Sequence, residues 1–285
     1  MKTEAHDHVT AVTRYYRRNT KAFLRLGENE GLPAIHIALW PEGTESVTDA
    51  LEVAHRLVLE AIEHRSGSVT AVADLGCGTG AGLRYLAQRL PEEVRLYGLT
   101  LGTLPEDLLG SSEDDRIHIR ECDFHQPDSL PSACTVAYCI EALAHSSDLP
   151  AFFEAAASNM EMGGSLIIMD DVVVTEGPPS AALRRYRKHW LVPGVVTMER
   201  LQQAAGLAGF SLQTQRDLTP WIRLGRPRDW FIRWTRPFWG WLWPFSDYVK
   251  SLLGGDARQQ CLQNGETQFA FIAFRLDASK RTQAE

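Results

Sequence analysis

The sequence predicts an α/β fold: a doubly wound, seven-stranded, mostly parallel sheet with helices on both faces. Three observations predict it. Short apolar runs alternate with helix-patterned stretches between residues 69 and 174, and such alternation builds parallel sheets covered on both sides. A glycine-rich turn, with Gly76, Gly78 and Gly80 at alternate positions, joins the first run to the first of these helices. Two β-patterned runs, separated by a long insertion, then close the chain. They are expected to form an antiparallel hairpin at one sheet edge.

Taken in order, residues 47–65 place Leu51, Ala54, Leu57, Val58 and Ala61 at helical spacing, which reads as an amphipathic helix. The strand-like runs of the parallel part are Val69–Leu75, Val94–Leu101, Ile117–Cys122, Thr135–Ile140 and Ser165–Val174. Helical stretches Ala81–Arg89, Pro105–Leu109 and Pro150–Met160 lie between them. Residues 180–190 and 197–208 follow as helices, the second opened by Thr197 with Glu199 in its first turn. Phe210–Gln215 and Gln268–Arg275 are the closing strands. The chain is expected to divide into an N-terminal helical lid (1–65), a core (66–218), a Trp/Arg-rich cap insertion (219–260) and a final core strand with a polar tail (261–285).

Composition narrows the function. With 285 residues, 44% hydrophobic, and a net charge of -7, the chain can bury a sizeable core and lacks the basic footprint of a nucleic-acid binder. Its five cysteines form no C-x-x-C pair, so neither a zinc site nor a disulfide framework is expected and a reducing cytoplasm fits. The opening MKTEAHDHVT is polar and mixed in charge, so no secretory signal is expected. No stretch reaches the roughly 18 apolar residues of a membrane span; Trp230–Phe245 is broken by Arg233, Arg236, Pro237 and Pro244. There is no internal repeat, and nothing sets the oligomeric state.

Val72-Ala-Asp-Leu-Gly-Cys-Gly-Thr-Gly80 is the chief functional signal. Its glycines let the backbone turn sharply and approach a ligand closely. A dinucleotide-binding loop is the rival, but the acid expected about twenty residues on is missing, since that stretch reads Leu96-Tyr97-Gly98. Asp74 instead stands two residues before the first glycine.

With these motifs the chain resembles a class I S-adenosylmethionine (AdoMet) dependent methyltransferase, which carries a Rossmann-like fold. Asp74–Gly80 is similar to motif I, and Gly98-Leu-Thr-Leu101 to the end of strand two in the branch holding sterol, tocopherol, cyclopropane-fatty-acid and small-terpenoid methyltransferases. Cys122-Asp-Phe124 resembles the acidic-aromatic step after strand three. Ile140-Glu-Ala-Leu-Ala-His145 resembles the step after strand four, and Met162–Asp171 the glycine-to-acid segment of strand five. Tyr15-Tyr16 and Ile35–Trp40 resemble the elements that close over the cofactor. The sequence departs from the pattern at Ala38, at Gly82, where Ser or Thr is common, and in having no strand-two acid for the ribose. Backbone near Thr100–Leu101, or Glu106, is left to supply that contact.

The resemblance implies AdoMet as cofactor, held by Tyr16, Asp74, Gly76, Gly78, Thr100, Leu101, Asp123, Phe124 and Ile140. It places Asp170, Asp171, Glu141 and His145 as candidate catalytic groups, with Asp170 or Asp171 the first choice of base. A purely orienting role stays open for Glu141 and His145. Strand alternation turns one of Asp170 and Asp171 inward and the other outward. His36 and Trp40 are candidate substrate contacts on the lid.

Residues 219–245 hold six of the eight tryptophans, apolar area that must be covered by something. Three readings stay open: a cap packed on its own domain, a wall for a hydrophobic substrate that includes Trp221 and Trp230, or peripheral contact with a membrane. Arginines Arg184, Arg185, Arg223, Arg226 and Arg228 border this region. Arg184 and Arg185 are candidate contacts for a diphosphate, in which case alone Mg²⁺ would enter; no metal motif is present. The expected activity is C-methylation of a small hydrophobic isoprenoid, a prenyl diphosphate included. The alternatives are O- or N-methylation of an aromatic natural product with His145 as base, and an AdoMet-binding cyclisation catalyst or scaffold that transfers no methyl.

Overall fold

The computed structural model describes residues 7–18, 35–102, 114–127, 129–130, 133–225 and 247–277. Helix α1 covers 7–18. Helix α2 (Val47–Glu63) begins where Ser46 and Asp49 cap each other: the Asp49 amide donates to Ser46 Oγ, and the Ser46 amide to the Asp49 carboxylate. Two donors that the first turn leaves unpaired are thereby satisfied. Along α2, Leu51, Ala54, Leu57 and Val58 are buried, as their spacing predicts.

The core then runs β1 (Ala71–Leu75), α3 (Ala81–Ala87), β2 (Arg95–Thr100), β3 (Ile117–Glu121), β4 (Cys134–Ile140), α4 (Leu149–Ser158) and β5 (Met160–Val173). It continues with α5 (Ala181–Trp190), α6 (Met198–Leu207), β6 (Phe210–Asp217), α7 (Asp247–Gln263) and β7 (Thr267–Leu276). The seven strands are ordered β3-β2-β1-β4-β5-β7-β6. Strands β1 to β5 pair in parallel and β7 pairs antiparallel to both β5 and β6. The closing strands are therefore an antiparallel pair, with β7 inserted beside β5 and only β6 at the edge.

Successive strand residues feed opposite faces. Leu166 and Ile168 join Phe152, Phe153 and Leu201 in one apolar layer, under α4 and α6. Ile167 and Met169 join Leu57, Val58, Leu83 and Leu86 in the other, under α2 and α3. With both faces covered, Asp170 and Asp171 are both buried, at 4% and 2% exposure.

Strand β5 starts five residues before the expected Ser165. The carbonyl of Asn159 accepts from Cys134 N at 2.8 Å and Met160 pairs with Cys134. A register shift and the left-handed Gly163 then bring Ser165 opposite Val136. The start of β4 thus draws Met160 out of the helical pattern.

Helix α7 packs on α5 through a shared apolar cluster with Leu183, Tyr186, Ala257 and Cys261. Gly254 makes the close approach possible, because a Cβ there would collide with the Trp190 ring. The helix runs through residue 260, across the expected end of the insertion. The helix expected over Pro105–Leu109, the acid Glu106, and Trp230 with Arg226 and Arg228 lie outside the described residues. Among the described residues no helix is long and apolar enough to cross a membrane.

Candidate active site

The chain leaves β1 for β2 and β3 on one side and returns to β4 on the other, so β1 and β4 flank the point where strand order reverses. Ligands of open α/β sheets bind at that point, beyond the C-terminal strand ends. A cavity opens there, and the glycine loop forms its floor. The amides of Gly76 and Cys77 both donate to the Leu99 carbonyl, at 2.9 and 2.8 Å, which pins the loop to the end of β2. A Cβ at Gly76 would collide with Ala142. Gly78 is different. At φ +51 it lines the cavity, and nothing lies within 4 Å of the position a Cβ would take. A side chain there would fill the cavity itself.

Asp74, at the end of β1, is 5% exposed and also lines the cavity. Burial pushes its carboxyl up to about 7, only partly offset by the neighbouring Tyr138 hydroxyl. Among the described residues no cationic side chain contributes to its environment. Thr100 and Leu101 from the end of β2, Phe124 from the step after β3, and Ile140 line the same cavity. Asp123 is placed differently. Its Oδ1 accepts from the His125 ring at 2.6 Å and the His125 amide at 3.0 Å. Burial alone would raise this carboxyl, but the His125 contacts hold it below its usual range. His125 Nε2 in turn meets Ser146 Oγ at 2.8 Å. The Asp123 side chain thus braces this step, while its neighbours Cys122 and Phe124 line the cavity.

The lid supplies the remaining wall through Val12, Tyr16, Ile35 and His36. His145 Nδ1 lies 3.0 Å from the Leu191 carbonyl, an acceptor only, so it carries the proton. Its Nε2 is then the acceptor for the Tyr16 hydroxyl at 2.7 Å. Burial drives the imidazole down to about 4, so it is neutral at physiological pH. His145 therefore docks helix α1 onto the site, with His8 adding a contact to its carbonyl at 2.9 Å.

Glu141 stands in the left-handed region at φ +50, which costs a non-glycine residue energy and persists only where surroundings hold it. Three contacts do so. Its amide donates to Met169 O at 2.8 Å, its Oε2 accepts from the Ile37 amide at 2.8 Å, and its Oε1 pairs with Arg258 at 2.6 Å. Glu141 lines the cavity.

The residues present fit AdoMet. Gly78 offers a cradle that any side chain would occupy, and Asp74 is a buried carboxyl without a cation, suited to an ammonium. Residues 73–168, about a third of the chain, match a family described as a methyltransferase domain. The chain thus carries a methyltransferase domain. It is similar to an O-methyltransferase of Pyrenophora dematioidea, 26% identical over 196 residues covering 66% of this chain and 72% of the relative. Its fold is that of the geranyl diphosphate C-methyltransferase of Streptomyces coelicolor A3(2), solved with Mg²⁺, geranyl diphosphate and S-adenosyl-L-homocysteine. The TM-score is 0.69 at 17% identity, over 94% of this chain and 97% of that one. The [4+2]-cyclase SpnF shares the fold too, with a TM-score of 0.68 at 18% identity, over 93% and 95% of the two chains.

The two strand-five acids are saturated by protein. Asp170 accepts from the amides of Ala144 and Asp171, each at 2.8 Å. Burial, reinforced by Asp171, pushes its carboxyl up to about 8. Asp171 accepts from the Tyr186 hydroxyl at 2.5 Å and from Arg258 Nε at 2.5 Å. Neither is among the described residues that line the cavity. Arg258, 5% exposed, joins Asp171 to Glu141; burial disfavours its charge, but the two carboxylates hold its pKa above the ordinary range.

The other substrate candidates separate. His36 is in the cavity wall. Trp40 is outside it, covered by the Arg223 guanidinium 3.3 Å from its ring and bonded through its amide to the Trp221 carbonyl at 2.6 Å. Trp221 packs on the α2–α3 side of the core. Exposed Arg184 donates to the Pro179 carbonyl, and Arg185 to Gln260 at 3.1 Å. No group of three or more His, Cys, Asp or Glu side chains gathers to hold a metal among the described residues. Sequence reasoning missed Arg258, Tyr138 and His55. Each lies in an ordinary helix or strand pattern, and only the fold brings it to the site.

Proposed function

We propose that this methyltransferase acts in the cytoplasm on a hydrophobic isoprenoid small molecule, free or as its diphosphate, and methylates carbon. The observation that supports this reading is the makeup of the lid side of the cavity. Val12, Tyr16 and Ile35 are apolar or aromatic, and Glu141 is the one carboxylate lining the cavity besides Asp74 among the described residues. Bound AdoMet supplies an electrophilic methyl on a sulfonium, and an alkene that accepts it becomes a carbocation that must lose a proton.

Glu141 suits both needs of such a reaction. Its negative charge favours the cation, and its carboxylate can accept the proton while the C–H electron pair becomes the new double bond. The ring of Tyr16, on the lid side, adds cation–π attraction of about 0.5–2 kcal/mol. Glu141 takes precedence over Asp170 and Asp171 because it lines the cavity and neither of those is among the described lining residues. Mg²⁺ belongs to this reading only if a diphosphate is the acceptor.

O-methylation is the second reading. It draws on the likeness to the fungal O-methyltransferase and on the neutral His145, which could serve as base. Against it, the Nε2 lone pair of His145 is already taken by Tyr16. Turnover of methyl-labelled AdoMet against prenyl diphosphates, free terpenoids and phenols decides. Label on carbon of an isoprenoid, abolished by Glu141→Gln, is expected. Label on a phenol oxygen would overturn the proposal, and equal rates for prenyl alcohols and their diphosphates would remove the diphosphate form.

A further inference from the structure

We infer that His55 selects the cofactor: its Nδ1, with the Tyr138 hydroxyl and the Asp74 carboxylate, forms an acceptor nest for the primary ammonium of AdoMet. The inference rests on AdoMet as the cofactor and is independent of the acceptor's identity.

The tautomer of His55 follows from its neighbours. His36 Nδ1 lies 3.2 Å from the Ile37 carbonyl, which can only accept, so His36 carries its proton there. His36 Nε2 is then an acceptor, and the His55 Nε2–H donates to it at 3.2 Å. The second nitrogen of His55 is left with a bare lone pair. Burial holds both rings below their ordinary pKa, so both are neutral. His55 is 7% exposed, and its Nδ1 is fully buried with no hydrogen-bond partner among the described residues. Most buried polar atoms are paired, and one that is not calls for a ligand or a bound water.

The location decides which. His55, Asp74, Gly82 and Ala81 all line the cavity. A Cβ at Gly82 would stand 2.8 Å from Tyr138 Oη and 3.1 Å from His55 Nδ1. Two polar atoms thus converge on one bare Cα. Tyr138 Oη also makes no well-formed hydrogen bond, although it lies beside the Asp74 carboxyl. His55 and Asp74 in the cavity wall, with the Tyr138 hydroxyl packed behind them, offer three acceptors to match the three N–H donors of a primary ammonium. The same crowding explains why this chain has glycine at position 82. Serine or threonine would place its Cβ against the Tyr138 hydroxyl and displace the nest.

The bland alternative is a core histidine whose free nitrogen meets only a water. Calorimetric titration with two probes separates the readings: S-adenosylhomocysteine, which carries the ammonium, and 5′-methylthioadenosine, which keeps the nucleoside and sulfur but lacks the amino acid. His55→Phe is expected to weaken S-adenosylhomocysteine by about tenfold or more, and methylthioadenosine by less than about twofold. His55→Asn, which can return an oxygen acceptor near the Nδ1 position, is expected to recover most of the loss. If His55→Phe fails to fold, the same comparison is made with His55→Leu, with His55→Asn as its control. Equal losses for the two probes, or none for either, would overturn the inference. A wild-type protein that binds neither probe would instead refute the cofactor on which it rests.

Discussion

Two buried polar regions flank the cavity, and they differ in what satisfies them. At the end of β1 and beside α2, Asp74 has no cation and His55 Nδ1 has no partner among the described residues. At the end of β5, Asp170 holds two amides, and Asp171 holds Tyr186 and Arg258. Unsatisfied buried groups are costly, and a protein retains them where a ligand completes them. Saturated groups are scaffold. The contrast moves chemistry away from Asp170 and Asp171 and toward the groups left open, with Glu141 between the two regions: held by Arg258 and Ile37, yet lining the cavity.

The sharpest break of this comparison is Arg258→Met. It strips the buried Asp171 and the half-buried Glu141 of their counter-ion, and breaking a buried pair from one side costs about 3–5 kcal/mol. Urea denaturation is expected to show a loss of that size. A loss below about 1 kcal/mol would mean that the network is not structural. Next in size, Asp74→Asn should leave the unliganded fold as stable or more stable at pH 8, while weakening S-adenosylhomocysteine by about 10–100-fold in calorimetry. The sign follows from linkage. A carboxyl raised from 3.8 to about 7 keeps its proton in the native state, so its stability contribution is full below pH 4 and declines as pH rises to 7.

Asp170, raised to about 8, acts the same way, so Asp170→Asn should flatten part of the fall in urea midpoint between pH 4 and 8. Unlike Asp74→Asn, it should leave cofactor affinity within about twofold of wild type, since its partners are protein amides. The smallest effect is expected from His145→Leu. Removing the acceptor for Tyr16 should cost about 0.5–1.5 kcal/mol of cofactor affinity. The pH profile of turnover between 5.5 and 8 should not change, because His145 is driven down to about 4. A lost limb in that profile would restore it as the base.

Much of the fold was legible because its signals are local. Alternation of apolar runs and helices predicts every strand of the sheet, and the glycine loop marks the cofactor end on its own. The strand-five pair shows where local reading stops. Asp170 and Asp171 carry the family's spacing, yet their roles are set by Ala144, Tyr186 and Arg258, the last 87 residues further along the chain. Nothing in the helical pattern of 247–263 distinguishes an arginine that faces water from one buried between two carboxylates. His55 is similar: on a helical wheel it is one more position among apolar neighbours, and only the fold shows that it lines the cavity with Nδ1 left unpaired among the described residues. The tryptophan-rich stretch was conspicuous, but Trp221 is its one tryptophan among the described residues, and it is occupied with Trp40 and Arg216, outside the cavity wall.

The measurement that bears most directly on the difference between the two regions is S-adenosylhomocysteine affinity by calorimetry from pH 5.5 to 8. An ammonium that requires the charged form of Asp74 must expel its proton below about pH 7. Affinity should therefore rise close to tenfold per pH unit up to about 7 and then level, with proton release seen in buffers of different ionisation enthalpy. Asp74→Asn should abolish that linkage and Asp170→Asn should keep it. Linkage that survives Asp74→Asn, or vanishes with Asp170→Asn, would contradict the assignment of the open region to the ligand and the saturated one to the scaffold.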